Sequence, residues 1–162
     1  MKVAVIMGST SDLKKVEPAI DILKEYGVEP KVRCLSAHRA HAELSAFIEE
    51  CNQDDTVAFI TAAGMAAALP GVVASQTVKP VIGVPLSGAV LDGMDALMSI
   101  VQMPSGIPVA TVAINGSKNA AYLALQYCAL IDESIRTKLE AHRSEMREAA
   151  NAANEEIIKK YS

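Results

Sequence analysis

Three short segments hold the residue types with which this chain could do chemistry. Ser36-Ala37-His38-Arg39 sets a titratable imidazole beside a permanent guanidinium. An imidazole gives and takes protons near neutral pH, and a guanidinium matches phosphate or carboxylate oxygens two at a time. Gly8-Ser9-Thr10-Ser11-Asp12 supplies a glycine turn, hydroxyls and free backbone N–H groups ahead of a helical pattern, a small anion site that a monophosphate would fit. Asp12 is poorly suited to phosphate and well suited to accept hydrogen bonds from a sugar hydroxyl. Ala62-Ala63-Gly64-Met65 has no reactive side chain, but its main-chain N–H groups suit a carboxylate or a small neutral molecule in a dry pocket. Taken singly, each segment has an ordinary structural equivalent: a solvated arginine, a capped helix start, a plain turn.

Other chemistries are poorly represented. The first loop is neither Gly-x-x-x-x-Gly-Lys-Ser/Thr nor Gly-x-Gly-x-x-Gly, so neither a nucleoside triphosphate nor a dinucleotide is indicated. No carboxylate adjoins His38 to orient it as a triad would, and there is no Gly-x-Ser-x-Gly, which leaves acid–base work as the reading for His38. His41 and His142 read as structural or solvated, and Met94, Met98 and Met103 as core or subunit packing. Cys34, Cys51 and Cys128 are odd in number and widely spaced, so they suggest mostly buried, reduced thiols with no disulfide framework and no metal site.

The elements that must position these loops follow from hydrophobic patterning. With 162 residues, 51% of them hydrophobic, one core and one domain over residues 1–162 are expected, with an α/β body to about 130 and a helical extension over 131–162. The net charge of −4 gives no footprint for nucleic acid, and no apolar run approaches a membrane span or a signal segment, so the partner is small and the compartment cytoplasmic. The apolar, Val- and Ile-rich run at 2–7 reads as a central strand covered on both faces, and the extended runs at 30–35, 56–61, 80–84 and 109–114 read as four further strands. A first helix carries Leu13, Val16, Ile20 and Leu23, with Ser11 or Asp12 as cap, Gly27 as stop and Pro18 as an expected kink or break. A second carries Leu44, Phe47, Ile48 and Cys51. A third is expected through Ala66-Ala67-Ala68, interrupted at Leu69-Pro70-Gly71. A fourth, through Met94, Leu97, Met98 and Val101, follows a loop around Ser87 and Gly88. Alternating strands and helices predict a three-layer, flavodoxin-like parallel sheet in the order 2-1-3-4-5, with loops 8–12 and 62–65 flanking the switch point and loop 36–39 adjacent. The stripe Ile135, Leu139, Met146, Ala149, Ala153 and Ile157 predicts a last helix of roughly 40 Å, longer than a small domain, so part of it should be covered by a neighbouring subunit.

Taken together, the loops resemble the class I PurE family, the N5-carboxyaminoimidazole ribonucleotide mutases of purine biosynthesis. The matching residues are Met7-Gly8-Ser9 with Ser11-Asp12, Ser36-Ala37-His38-Arg39, Leu69-Pro70-Gly71, Leu91-Asp92-Gly93 with Asp95-Ala96-Leu97, and Val101-Gln102-Met103-Pro104 with Gly106-Ile107-Pro108-Val109, in order and at the family's spacing. The resemblance implies an isomerase that moves a carboxylate from the exocyclic nitrogen of an aminoimidazole ribonucleotide to ring carbon C4 through trapped CO2, with no metal or organic cofactor. It implies His38 as the catalytic residue, with Ser9, Asp12 and Arg39 binding substrate. By analogy Gly8, Ser11, Ser36 and the Ala63-Gly64-Met65 backbone line the same pocket, and the assembly is a homo-octamer. Two departures stand out: Ala68 where most relatives carry His, and Ala40-His41 where they carry Thr-Pro. Arg39 and Met65-Ala66-Ala67 favour class I over the class II enzymes, which carboxylate aminoimidazole ribonucleotide directly and carry Lys and Arg-Ser-Asn there. A flavodoxin-like nucleotide-binding module is the non-enzyme alternative, weakened by the absence of Trp.

Overall fold

The computed structural model describes residues 1–88 and 90–162. Five strands, β1 (Lys2–Met7), β2 (Glu29–Cys34), β3 (Thr56–Gly64), β4 (Val81–Leu86) and β5 (Ala110–Thr111), form one sheet in the order β2-β1-β3-β4-β5. All four pairings are parallel. Alternate residues of the central strands serve two different cores. Val3, Val5 and Met7 of β1 join Ala58, Ile60 and Ala62 of β3 on one face, while Ala4, Ile6, Phe59 and Ala63 point to the other. That two-sided burial is why these strands read as unbroken apolar runs.

Helices α1 (Leu13–Glu25) and α5 (Ser117–Cys128) cover the first face, and α2 (His41–Gln53), α3 (Leu69–Ala74) and α4 (Met94–Val101) the second. This is the three-layer, flavodoxin-like arrangement expected. Helix α1 stops as its sequence requires. Gly27 adopts φ +82°, its N–H donates to the Lys24 carbonyl at 2.9 Å, and the Val28 N–H donates to the Leu23 carbonyl at 2.9 Å. Both carbonyls would otherwise be left without donors, and the left-handed residue makes the bonds possible. At Gly83, α4 lies directly on the sheet: a Cβ there would come within 2.5 Å of Ile100 Cγ2 and 2.9 Å of Val109 Cγ1.

Several local expectations are corrected. Asp12 stands at the N-cap position of α1, one of the two residues expected there, but its side chain makes no capping bond; the capping bond belongs to the preceding 3-10 turn, Thr10–Asp12, where Ser9 Oγ accepts from the Ser11 N–H. Pro18 lies inside α1 and does not break it. Helix α3 begins at Leu69, so Leu69-Pro70-Gly71 starts it and Ala66-Ala67-Ala68 is the non-helical stretch that leads into it. Proline is tolerated in a first turn because the N–H it lacks would have no helical partner there. In α4 the buried residues are Ala96 and Ile100, whereas Met94, Met98 and Val101 are exposed. The β5 ladder shrinks to two residues of the 109–114 run, whose apolar character reflects burial against both cores, Val109 in one and Ala110 and Val112 in the other. The reading of the sequence assigns no element between Ile114 and Asp132, where the structure has α5, buried through Ala120, Ala121, Ala124, Leu125 and Cys128. Cys34 is exposed, while Cys51 and Cys128 are buried. The last helix, α6 (Glu133–Tyr161), caps on Asp132 and has only Ile135 buried. Among the described residues no helix is long and apolar enough to cross a membrane.

Candidate active site

The strand ends explain where the site lies. In parallel sheets of this order, β1 and β3 send their chains to opposite faces and leave a crevice at their carboxyl ends. Met7 pairs with both Cys34 and Ala62, and Gly64 pairs with Leu86, so the loops after β1, β2, β3 and β4 leave the sheet side by side. They enclose a cleft of about 540 Å³. Gly8, Ser9, Ser11, Asp12, Ser36, His38, Arg39, Ala63, Gly64 and Met65 all line it. Residues from three separate loops, singled out by their chemistry, therefore share one concave surface.

The first wall is a short hydroxyl chain. Ser9 Oγ lies 2.8 Å from Ser11 Oγ and accepts from the Ser11 N–H at 3.3 Å, and Ser11 Oγ donates to Asp12 Oδ1 at 3.5 Å. The second wall is the turn after β2. The Leu35 N–H donates to the Met7 carbonyl at 2.9 Å, fixing the turn to β1, and the Ala40 N–H closes on the Ser36 carbonyl at 2.9 Å. His38 and Arg39 are thereby held exposed at its tip, with Arg39 Nε 3.5 Å from Ser36 Oγ. Met65 takes a left-handed backbone, φ +56°, which turns the chain sharply at the end of β3 and leaves its side chain exposed over the cleft. His41, outside this lining, opens α2.

Sequence reasoning missed part of the lining. Ala66 to Leu69 belong to it because α3 starts late, and Leu86, Ser87 and Gly88 form a fourth wall. Ser87 is held by Lys15 and Asn115, from α1 and the loop after β5. A serine followed by glycine after an apolar strand was the available signal, but its partners are remote in the chain. A larger hollow, about 960 Å³, opens below the opposite ends of β4 and β5. Its one charged group, Lys79, donates to the Cys51 and Asp54 carbonyls, so the hollow offers no reactive constellation.

Comparison with known proteins shows the family of the chain. The family model described as AIR carboxylase matches residues 2–149. The chain belongs to the AIR carboxylase family. It is 52% identical over 155 residues, 96% of either chain, to the N5-carboxyaminoimidazole ribonucleotide mutase of Methanocaldococcus jannaschii. It is 42% identical to the mutase of Mycobacterium leprae, over 96% of this chain and 91% of that one. The phosphoribosylaminoimidazole carboxylase of Saccharomyces cerevisiae is 50% identical over 138 residues, but these make up only 24% of that protein. A crystal structure of Treponema denticola PurE superposes with a TM-score of 0.80 at 31% identity, covering 93% of this chain and 97% of that one. Within the AIR carboxylase family the chain is of the class I, mutase-like kind, matching such relatives from end to end.

Proposed function

We propose that this protein is an N5-carboxyaminoimidazole ribonucleotide mutase, an isomerase that converts its substrate to 4-carboxyaminoimidazole ribonucleotide in purine biosynthesis. The observation that carries the reading is the end-to-end match to enzymes named as such mutases. The cleft supports it chemically. In the proposed reaction the N–CO2⁻ bond breaks, the exocyclic nitrogen takes up a proton, C4 attacks the released CO2, and the C4 proton leaves. One imidazole can give the first proton and take the second, so the two steps balance without an outside acid or base. We assign both to His38, the one histidine that lines the cleft.

Substrate binding is proposed for the remaining lining residues. Ser9, Ser11 and Gly8 would cradle the phosphate with Arg39 as its cation, Asp12 would accept from the ribose, and Ser36 would support the turn beneath Arg39. The Ala63-Gly64-Met65 backbone, on the apolar side of the cleft, would help to keep CO2 from escaping. We further propose a homo-octamer in which α6 and the exposed Met94-Met98-Val101 edge of α4 pack on neighbouring copies, and a cytoplasmic setting, which suits the exposed thiol of Cys34.

The family's own description, AIR carboxylase, favours one alternative: direct carboxylation of aminoimidazole ribonucleotide by CO2. The test offers the purified protein either N5-carboxyaminoimidazole ribonucleotide or aminoimidazole ribonucleotide with modest bicarbonate and compares initial rates of C4-carboxylated product. The mutase reading expects the first substrate to turn over faster; the reverse order would replace it with the carboxylase.

A further inference from the structure

The fourth wall of the cleft contains a serine whose hydrogen-bonding capacity is almost fully used in one direction. Ser87 follows β4 and lines the cleft. Its N–H donates to Asn115 Oδ1 at 3.0 Å, and because an N–H can only donate, this contact settles which way the Asn115 amide faces. The other amide atom is therefore the NH2 group, and it donates to Ser87 Oγ at 2.9 Å. Lys15 Nζ lies 2.7 Å from the Ser87 carbonyl oxygen and 3.2 Å from Ser87 Oγ, and an ammonium too can only donate. A serine hydroxyl has two lone pairs and one hydrogen. Both lone pairs face donors, so the hydrogen is the one capacity left, and among the described residues no acceptor receives it.

We infer that Ser87 is a substrate-binding residue that donates a hydrogen bond to an anionic oxygen of the ribonucleotide, with Lys15 and Asn115 as the positioning residues that fix it as a donor. The inference rests on the ribonucleotide reading above. Its electrostatics favour an anion. Lys15 forms no ion pair among the described residues, so its charge sits uncompensated against the hydroxyl and strengthens it as a donor to a negative acceptor. Asn115 is itself held in a left-handed backbone, φ +57°, by its N–H donating to the Pro85 carbonyl at 2.8 Å, so the clamp is anchored to β4 at the residue two before Ser87. The acceptor is an oxyanion of the phosphate or of the carboxylate, since both lie on the same ligand.

Calorimetric titration with aminoimidazole ribonucleotide and with its 4-carboxylated form distinguishes the two. Ser87→Ala is expected to weaken binding roughly ten- to hundredfold, the range for a hydrogen bond to a charged group. Equal loss for both ligands assigns the phosphate; loss for the carboxylated ligand alone assigns the carboxylate. Unchanged affinity for both would overturn the inference. Ser87→Cys, similar in shape but a weak donor, should show the same loss in case the alanine variant folds poorly. Lys15→Met should weaken binding in the wild-type background and add little in the Ser87→Ala background, because it acts through that hydroxyl. Equal losses in both backgrounds would refute the positioning role. A wild-type protein that binds neither ligand would refute the ribonucleotide reading, whereas wild-type binding with an unaltered Ser87→Ala affinity refutes only the role of Ser87.

Discussion

At the scale of single residues, the turn after β2 concentrates the proposed reactivity in two exposed side chains whose placement depends on bonds made by their neighbours. Because the Leu35 and Ala40 N–H groups and the Ser36 carbonyl hold the turn, the His38 side chain is free to act on a ligand without supporting the fold. His38→Asn should therefore lower kcat by about 10²- to 10⁴-fold, the usual contribution of a positioned acid–base group, while the circular dichroism melt and nucleotide binding stay close to wild type. A variant with near-normal turnover would remove His38 from the mechanism. Arg39→Ala belongs to the other class of effect. It should raise KM roughly tenfold or more with a smaller change in kcat, since the phosphate contact proposed for it would serve substrate and transition state alike. Steady-state kinetics separates the two outcomes. That His38, Arg39 and the Ser9–Asp12 loop line one cleft was legible because unusual polar residues at strand ends are a local signal. Ser87 was not, because its partners lie 72 and 28 positions away.

At the scale of elements, the end of the sheet opposite the cleft is tied by a charge cluster. Lys31 of β2 donates to Glu50 at 2.5 Å and to Asp54 at 3.0 Å, Lys2 of β1 reaches Asp55 at 2.6 Å, and the chain's amino terminus reaches Asp55 at 2.7 Å. Burial works against the Asp54 charge, but hydrogen bonds from Thr56 and from the Lys31 ammonium outweigh it and hold this carboxyl well below the usual carboxylate range. Asp55 is drawn down to about 2 by its bonds to Lys2 and the amino terminus. A carboxyl with a lower pKa in the folded than in the unfolded chain contributes stability above its unfolded value, near 4, and loses it as the pH falls toward the folded value. Asp54→Asn should thus lower the melting temperature at pH 7, and the gap to wild type should narrow as the pH drops below about 4. A gap that stays constant from pH 7 to pH 3 would assign the loss to something other than charge. Strand existence and most helix faces could be read from periodicity. The start of α3 could not, because Ala66-Ala67-Ala68 has good helix propensity and only the turn at Met65 delays the helix. The face of α4 stayed open for a similar reason: Met94 and Met98 suit core or subunit packing alike, and only the closeness of Ile100 to Gly83 shows which residues meet the sheet.

At the scale of the whole molecule, the unusual feature is α6. Its 29 residues span roughly 43 Å at 1.5 Å per residue, and its attachment to the body is confined to the first half. There Ile135 is buried, Leu139 packs beside it, and His142 stacks on Tyr122 of α5 at 5.0 Å between ring centroids. Beyond that ring, Met146, Ile157 and Tyr161 are 59%, 57% and 75% exposed. The proposed octamer would cover them. Sedimentation equilibrium should give eight times the 17.1 kDa chain mass, and a chain ending at His142 should keep the cooperative thermal melt of the α/β body while falling to smaller assemblies. A full-length monomer would remove the subunit role of α6.

By itself the sequence determined that the chain is a layered α/β body, that its first three loops meet at one end of a parallel sheet, and that a charged helix extends past the core. Strand and helix periods are properties of neighbouring residues, and parallel order follows from the alternation of elements. Only the tertiary structure decided that Ala66–Leu69 and Ser87 complete the cleft, that α5 lies across the sheet opposite α2, and that Met94 and Met98 face away from their own core. Those outcomes depend on contacts between residues far apart in the chain. No local pattern could announce that a lysine from α1 and an asparagine after β5 would meet on one serine hydroxyl.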